Sequence, residues 1–341
     1  MSRHGLLIVS VLLVAGWNGM KLNAAELAIT TASPIGATVG APYSQTFAAT
    51  GGISPYTWSV QSGTLPSGLW LSPTGLLSGT PTQSGLSNFT VAVTDSSGGS
   101  ASNAFSLIVA LPPTPIVSIT GLTDTVSPAQ QPAFDVQLSS AYWLDITGSV
   151  TLTFEPNAVN ESDDPSIQFS AGGRTLNFTI PAGQTTASWA SPPAVQAGTV
   201  AGLLKLGIKF SAAGLNLTPI LAPVHSVTVA LAAPQIDSVR VVRTTGGFNL
   251  QIAGYSTPRE VTQATFDFTT THGGNSQTTS LTASVTNTFT NWYTSDSATQ
   301  YGSVFLYTQP FTVQGNVSDI ASVSVTLSNS VGTSSAVSAS F

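Results

Sequence analysis

The sequence predicts an all-β protein made of tandem β-sandwiches, and three observations carry the prediction. Apolar residues alternate with Ser and Thr over short runs, which is the period of a half-buried strand. The 31 Gly and 21 Pro residues interrupt these runs so often that no long helical pattern can form. Charged residues are 6% of the chain, against about 25% in an average soluble protein. At 341 residues, the chain suits two or three sandwiches of about 100 residues each.

The stretch from Pro55 to Pro81 shows this pattern most clearly. Trp58 and Val60 fall on one face of a period-two strand, with hydroxyl side chains on the other face. The segments Leu65–Gly68 and Ser72–Gly75 each place Pro second and Gly fourth, as type I turns do. The stretch therefore predicts short strands joined by tight turns.

A longer run from Tyr43 to Val109 carries three motifs in order: GGISPYTWSV, LPSGLWLSPTGLLSGTPTQSG and FTVAVTDSSG. In this order the run resembles the bacterial Putative Ig domain, a dystroglycan-type cadherin-like module. The resemblance covers about a quarter of the chain and implies an Ig-like β-sandwich with a scaffold or adhesive role. Cadherin-like domains often bind calcium, but Asp95 is the one acid between Leu27 and Leu111, which argues against calcium in this module.

The N-terminus has the pattern of a secretory signal peptide over residues 1–25. Arg3 supplies the basic region, an apolar core of about ten residues runs from Leu6 to Ala15, and Ala24 and Ala25 form a small-residue exit. An uncleaved N-terminal anchor is the alternative, although the core is shorter than the roughly 20 residues of an ordinary membrane span. We therefore expect a secreted or cell-surface protein, bacterial in origin, with no transmembrane span after cleavage.

Charge and cysteine content exclude several classes of partner and site. Removing the leader takes Arg3 and Lys21 from the 8 basic residues and leaves 14 acidic ones, so the net charge becomes 6 − 14 = −8. Nucleic acid and anionic membranes are poor partners for such a surface. The absence of cysteine rules out disulfides, thiol nucleophiles and thiolate metal sites.

Two proline-containing segments divide the chain into three predicted modules. The first module covers 26–111 and ends at the Pro-rich linker 112–115, which favours an extended, semi-rigid connection. A second β-sandwich is predicted over 116–231, and Ala232-Ala233-Pro234 marks a weaker boundary before an Ig-like sandwich at 234–341. Period-two runs such as those at Val150, Leu204 and Val323 support strands in both later modules.

The loop from Glu155 to Asp164 holds the one acidic cluster of the sequence, and Glu155, Asp163 and Asp164 are its calcium candidates. Calcium takes six to eight oxygen ligands, and this loop offers several within ten residues. The spacing does not match an EF-hand. A solvated loop that keeps a charge-poor module soluble is the favoured reading, and apart from this calcium site we expect no cofactor.

Aromatic residues raise the alternative of sugar binding, because exposed rings can serve as stacking platforms. Trp292 and Tyr293 are the candidates, since adjacent residues in a strand face opposite ways and one of them must face outward. In the first module, one of the two tryptophans is expected in the core, while Trp70 points to the opposite face from Leu69 and Leu71. Packing in a sandwich core is the default for such rings.

The sequence shows no catalytic constellation. His225 and His272 remain after leader removal, and neither has a G-x-S-x-G elbow or comparable nucleophile motif beside it. No pair of acids has the pattern of a glycosidase. The favoured hypothesis is a non-enzymatic secreted or cell-surface scaffold or adhesion protein that contacts a protein or polysaccharide. The alternatives are a carbohydrate-binding module array and an accessory to an extracellular enzyme.

Overall fold

The computed structural model describes residues 25–272, 275–314 and 316–341. The predicted leader lies outside the described residues, apart from Ala25. The chain divides into two compact units, Met1–Pro113 and Thr114–Phe341. Among the described residues, the regular elements of both units are almost all β-strands, which confirms the all-β prediction. No helix among the described residues is long and apolar enough to cross a membrane.

The first unit packs a four-stranded sheet with smaller sheets. The large sheet has the order β2-β9-β8-β5, with β2 parallel to β9 and the other pairs antiparallel. A three-stranded sheet has the order β3-β7-β6, and β1 pairs with β4. The bounds are β1 (Ala28–Ile29), β2 (Ala37–Thr38), β3 (Tyr43–Thr46), β4 (Ala49–Thr50), β5 (Thr57–Gly63), β6 (Leu69–Leu71), β7 (Leu76–Gly79), β8 (Gly85–Thr94) and β9 (Ser100–Ala110).

The alternation seen in the sequence places the core of this unit. Trp58 is 5% exposed and packs near Phe47 at a ring distance of 5.9 Å, whereas Trp70 is 60% exposed, so the predicted division of the two tryptophans is confirmed. Val60, predicted on the same face as Trp58, is instead exposed. Val60 keeps the register of Trp58, opposite Val91, and the register shifts only beyond it, between Val60 and Ser62. Because β5 is the edge strand of its sheet, a side chain with the correct alternation can still be exposed there.

The first half of the second unit, the predicted second module, is organised on the long antiparallel pair of β13 and β17. The main sheet has the order β11-β19-β17-β13-β15, and β18 also pairs with β17. Two-stranded sheets β10-β12 and β14-β16 complete it. The bounds are β10 (Val117–Thr120), β11 (Thr125–Val126), β12 (Asp135–Leu138), β13 (Ile146–Pro156), β14 (Gln168–Phe169), β15 (Thr175–Ile180), β16 (Val195–Gln196), β17 (Gly202–Ala212), β18 (Leu215–Asn216) and β19 (Val224–Val229).

The predicted third module packs a three-stranded sheet, β20-β21-β24, with a four-stranded sheet, β23-β22-β25-β26. A helix, α1, and a short 3₁₀ turn at Ala298–Gln300 link β23 to β24; a second 3₁₀ turn spans Val317–Asp319. The bounds are β20 (Gln235–Thr244), β21 (Gly247–Tyr255), β22 (Gln263–His272), β23 (Asn275–Ser284), α1 (Thr286–Tyr293), β24 (Val304–Thr312), β25 (Ile320–Ser328) and β26 (Val337–Ser340).

Each half of the second unit has its own apolar core. In the second module the fully buried residues include Phe169, Leu152 and Leu204, in a cluster confined to 117–229. In the third module the cluster lies within 236–327 and includes Phe248, Phe266 and Phe289. Hydrogen bonds join the two modules, and Asp163 is among the residues that make them.

Candidate functional site

The acidic loop after β13 lies against the third module. Its backbone bonds across the module boundary, where the Val159 N–H donates to the Pro258 carbonyl at 3.0 Å. Close by, the Ala201 N–H donates to the Thr257 carbonyl at 2.9 Å. The backbone of the loop thus packs against the third module, while the side chains of Glu155, Glu161 and Asp163 are exposed. We call this contact region the inter-module junction.

The three predicted calcium ligands have separate protein partners. The Glu155 carboxylate pairs with the Lys205 ammonium at 2.5 Å, and the Asp163 carboxylate pairs with the Arg174 guanidinium at 2.8 Å. Both ion pairs are partly exposed, so each is worth little in stability, about 0–1 kcal/mol. The chemistry of these two acids is that of ordinary ion pairs.

Asp164 is completely buried and satisfied by hydrogen bonds. One carboxylate oxygen accepts the Ser166 N–H at 2.9 Å and the Ser166 hydroxyl at 2.5 Å. The other accepts the N–H groups of Thr199 at 2.8 Å and Val200 at 3.1 Å. A buried carboxylate needs such donors, because an unpaired charge in a protein interior is very costly. Asp164 therefore fixes the loop to the 198–200 turn.

The structure does not gather these acids into a metal centre. Across 25–272, 275–314 and 316–341, no group of three or more His, Asp or Glu side chains is placed to hold a metal ion. The arrangement thus gives no support to calcium at Glu155, Asp163 and Asp164, and calcium binding stays a prediction.

Arg259 is the central residue of the junction, and no sequence pattern singles it out. Its backbone has φ 56°, and its side chain is almost completely buried. The guanidinium Nε donates to the Gly302 carbonyl at 3.0 Å, and Nη2 donates to the Asp163 carbonyl at 2.9 Å. Nη1 donates to the carbonyls of Asn160, at 2.8 Å, and Ser162. One side chain of the third module thus holds three backbone carbonyls of the acidic loop.

The electrostatics of the junction are those of a buried cation next to acids. Burial lowers the pKa of Arg259, while the negative charges of Asp164 and Asp163 act in the opposite direction. A second link runs through Ser303, whose N–H donates to the Thr199 hydroxyl at 3.0 Å and whose hydroxyl donates to the Thr199 carbonyl at 2.6 Å. Buried and mutually satisfied polar groups favour one fixed arrangement of the two modules.

The prediction of Trp292 and Tyr293 as a strand pair is wrong, because both residues lie in α1. Tyr293 is 2% exposed and donates its hydroxyl to the Ser303 carbonyl at 2.8 Å, so it cannot stack on a ligand. Burial raises the pKa of Tyr293, as expected for a phenol in the core. On a helix, neighbours are about 100° apart rather than on opposite faces, so the argument from strand alternation does not apply.

Trp292 is half-buried and lies beside a cleft between α1 and β24. Its indole N–H donates to the Val304 carbonyl at 3.1 Å, and its ring stacks on Tyr301 at 6.2 Å with an interplanar angle of 26°. Tyr301 is 56% exposed. The ring pair is thus Trp292 with Tyr301, not Trp292 with Tyr293. Sugar stacking on Trp292 stays a prediction.

The sequence contains a signal for α1 that the prediction of a strand at Trp292 and Tyr293 did not use. Between Gly274 and Gly302 the sequence has neither Gly nor Pro. Val285, Phe289 and Tyr293 recur every four residues, and all three are buried. The high content of Thr, Asn and Ser, which are poor helix formers, hides this pattern. Arg259, by contrast, has no local signal, because its partners are about 40 to 100 residues distant in sequence.

Comparison with known proteins identifies the first module. Residues 26–110 match the family model described as Putative Ig domain, which confirms the resemblance seen in the sequence. No match was found among curated protein sequences.

Several solved structures also match parts of the chain. A putative alpha-galactosidase from Bacteroides fragilis is 27% identical over 26% of this chain and 19% of its own, with a TM-score of 0.23. A tetra-tandem repeat from the extending region of a large adhesion protein is 16% identical over 92% of this chain and 72% of its own, with a TM-score of 0.31. The cadherin domains of protocadherin gamma B7 are 13% identical over 60% of this chain and 49% of their own, with a TM-score of 0.27.

The chain spans about a fifth of the galactosidase chain and half of the protocadherin chain. Because these TM-scores are low, the identification of the first module rests on the family match. Residues 26–110 are a Putative Ig domain, followed in the same chain by further β-sandwich structure.

Proposed function

We propose that this protein is a non-enzymatic, exported scaffold of tandem Ig-like modules with an adhesive role. The observation that carries the proposal is the inter-module junction. There the Arg259 guanidinium, together with the Thr199–Ser303 pair, fastens the third module to the second through buried hydrogen bonds. A fixed junction of this kind suits a rigid spacer, which must hold a binding surface in one orientation.

The chemistry of the described side chains is in keeping with a non-enzymatic role. In the acidic loop, Glu155 and Asp163 form ion pairs, and Asp164 accepts backbone hydrogen bonds. The His225 Nε2 is buried and has no hydrogen-bond partner among the described residues, so it forms no nucleophile–base pair there.

The test is adhesion of beads coated with the full chain. We expect such beads to attach to bacterial cells, or to immobilised cell-wall polysaccharide or surface protein, more strongly than beads coated with a β-sandwich of similar size and charge. Wild-type attachment should fall when Arg259→Ala loosens the junction, with Arg243→Ala, an exposed arginine of the same module, as the matched control. Attachment no stronger than that of the unrelated sandwich on every surface would overturn the adhesive role.

A further inference from the structure

Strand β24 is an edge strand, and its hydrogen-bond pattern shows which backbone groups are free. It pairs with β21 on one side, and no strand of the described residues pairs with it on the other. The backbone groups of Ser303 and Val313, just outside its two ends, bond to the β21 side, at Ser256 and Gly246. The direction of the backbone N–H and C=O groups alternates along a strand. In β24, these groups therefore point toward β21 at the odd-numbered residues.

The even-numbered residues of β24 consequently point their N–H and C=O groups away from β21. At Val304 both groups have partners: the N–H donates to the Tyr301 carbonyl, and the C=O accepts from the Trp292 indole N–H. At Pro310 the nitrogen has no hydrogen and the carbonyl accepts from the Gln309 amide. Between them, the N–H and C=O groups of Leu306 and Thr308 have no partner among the described residues. Together they offer two donors and two acceptors in the spacing of a β-ladder.

The free groups border the cleft between α1 and β24, which we call the α1–β24 cleft. It has a volume of about 200 Å³ and is lined by Thr288, Phe289, Trp292, Phe305, Leu306, Tyr307 and Thr308. A buried cavity of about 150 Å³ holds a benzene molecule, so the cleft has room for one aromatic or branched side chain. Leu306, 66% exposed, adds apolar surface at its rim.

We propose that the α1–β24 cleft binds an extended peptide segment of a partner protein, which adds to the sheet as a strand beside β24. The peptide backbone pairs with Leu306 and Thr308, and one apolar side chain of the peptide enters the cleft against Phe289 and Trp292. Strand addition of this type takes its affinity from main-chain hydrogen bonds and its specificity from pockets for alternate side chains. The inference names a partner class for the proposed adhesive function and rests on that function.

Charge decides what kind of peptide fits. All seven residues that line the cleft are uncharged, so a charged side chain entering it would lose its hydration without gaining an ionic partner. The chain as a whole has a net charge of −6, which repels acidic segments and attracts basic ones. The expected segment alternates apolar and small polar residues, is neutral where it meets the cleft, and is neutral or basic in its flanks.

The test is a displayed library of linear, unstructured peptides, screened against the full chain. We expect enriched sequences with a period-two apolar pattern. On binding, the amides of Leu306 and Thr308 should become protected from hydrogen exchange, while those of Phe305 and Tyr307, already bonded to β21, should change little. Absence of enrichment, or enrichment without protection at Leu306 and Thr308, would overturn the inference.

Two variants at one position separate backbone from side chain. Leu306→Pro removes an N–H that β21 does not use, and Pro310 shows that this side of β24 accepts proline. Leu306→Pro should lower the affinity for the selected peptides about tenfold, which is the effect of one lost hydrogen bond. Leu306→Ser keeps the N–H and should bind more tightly than Leu306→Pro. Thr288→Arg, an exposed position on α1, should block the cleft if Leu306→Pro fails to fold.

The outcomes separate this inference from the function on which it rests. Bead adhesion that survives both Leu306→Pro and Thr288→Arg would leave the scaffold role intact and overturn the strand-binding site. Loss of adhesion in both variants supports the two together. Binding to a glycan array that is lost in Trp292→Ala but unchanged in Leu306→Pro would show that the cleft takes sugar rather than peptide, and would also overturn the inference.

Discussion

The Asp95 carboxylate organises the turn between β8 and β9. It accepts the Ser97 hydroxyl at 2.8 Å and the N–H groups of Ile53, Ser97 and Gly99 at 2.8–3.0 Å. These bonds, the Ser97 hydroxyl first and the Ile53 N–H next, hold the pKa of Asp95 below its usual value. The one acid in the body of the first module is thus a structural turn residue.

Replacing Asp95 by Asn should destabilise the first unit at neutral pH. Because the folded pKa is depressed, the carboxylate contributes stability above the unfolded pKa of about 4, and this contribution is lost as the pH falls through the folded pKa. The difference between wild type and Asp95→Asn should therefore shrink on acidification. Hydrogen exchange of the β8 amides measures it, with Glu26→Gln as the exposed control. A difference that is constant from neutral pH down to about pH 2 would contradict the assignment.

A second residue-scale prediction concerns Gly302, which lies against the Asp164 carboxylate. A Cβ at Gly302 would stand 2.6 Å from Asp164 Oδ1, and its φ is 62°. At Gly246, with φ 82°, a Cβ would meet nothing within 4 Å. Gly246→Ala should thus cost about 1–2 kcal/mol for the left-handed backbone alone. Gly302→Ala should cost about 1–3 kcal/mol more, for the crowding. Urea unfolding compares the two, and equal costs would mean that the carboxylate moves aside freely.

At the scale of elements, periodicity was sufficient for strands whose two faces differ. Phe89, Val91 and Val93 alternate in the sequence and are all buried in β8. The same rule failed at Val60, which is exposed on the edge strand β5, and at Trp292, where a helix replaces the expected strand. In both places the local pattern lacks the deciding information. It cannot show that a strand lies at the edge of its sheet, and it cannot show that packing overrides a weak helix propensity.

Helix α1 depends on Phe289, because its remaining residues are mostly Thr and Asn. The Phe289 ring is 2% exposed and packs edge-on against Phe305 at 4.9 Å and near Tyr307 at 5.3 Å. Phe289→Ala should cost about 3–5 kcal/mol, through lost contacts and a residual cavity. Thr288→Ala, one residue away on the exposed face, should be neutral or slightly stabilising. Calorimetric melting of the two variants measures this, and a loss below about 1 kcal/mol for Phe289→Ala would show that α1 is held by other contacts.

For the whole molecule, the sequence predicted sandwiches in series but not how the last two are joined. The acidic loop stood out by composition, and its calcium candidates followed from residue type alone. Its observed environment depends on Arg259, Thr199 and Ser303, which come from distant parts of the chain. Contacts between residues so far apart in the sequence leave no local pattern. The fold class could therefore be predicted, while the inter-module junction could not.

The junction leads to a prediction about the cooperativity of unfolding. Because buried hydrogen bonds join the second and third modules, we expect the unit Thr114–Phe341 to melt in one calorimetric transition. Arg259→Ala removes the donors of four backbone carbonyls and leaves the buried Asp164 without its nearby cation. A hydrogen bond from a charged donor is worth about 1.5–3 kcal/mol, and several are lost here. In the variant, the two modules should therefore unfold separately, and calorimetry should show one more unfolding transition than in the wild type.

Arg243→Ala, at an exposed position on β20, is the matched control and should leave the number of transitions unchanged. If Arg259→Ala lowers the melting temperature of the unit but keeps a single transition, the modules are coupled by their apolar contacts instead. If the wild type already shows separate transitions for the two modules, the junction is too weak to hold them as one cooperative unit. The junction would then not fix the relative orientation of the second and third modules, and the protein would not be a rigid spacer.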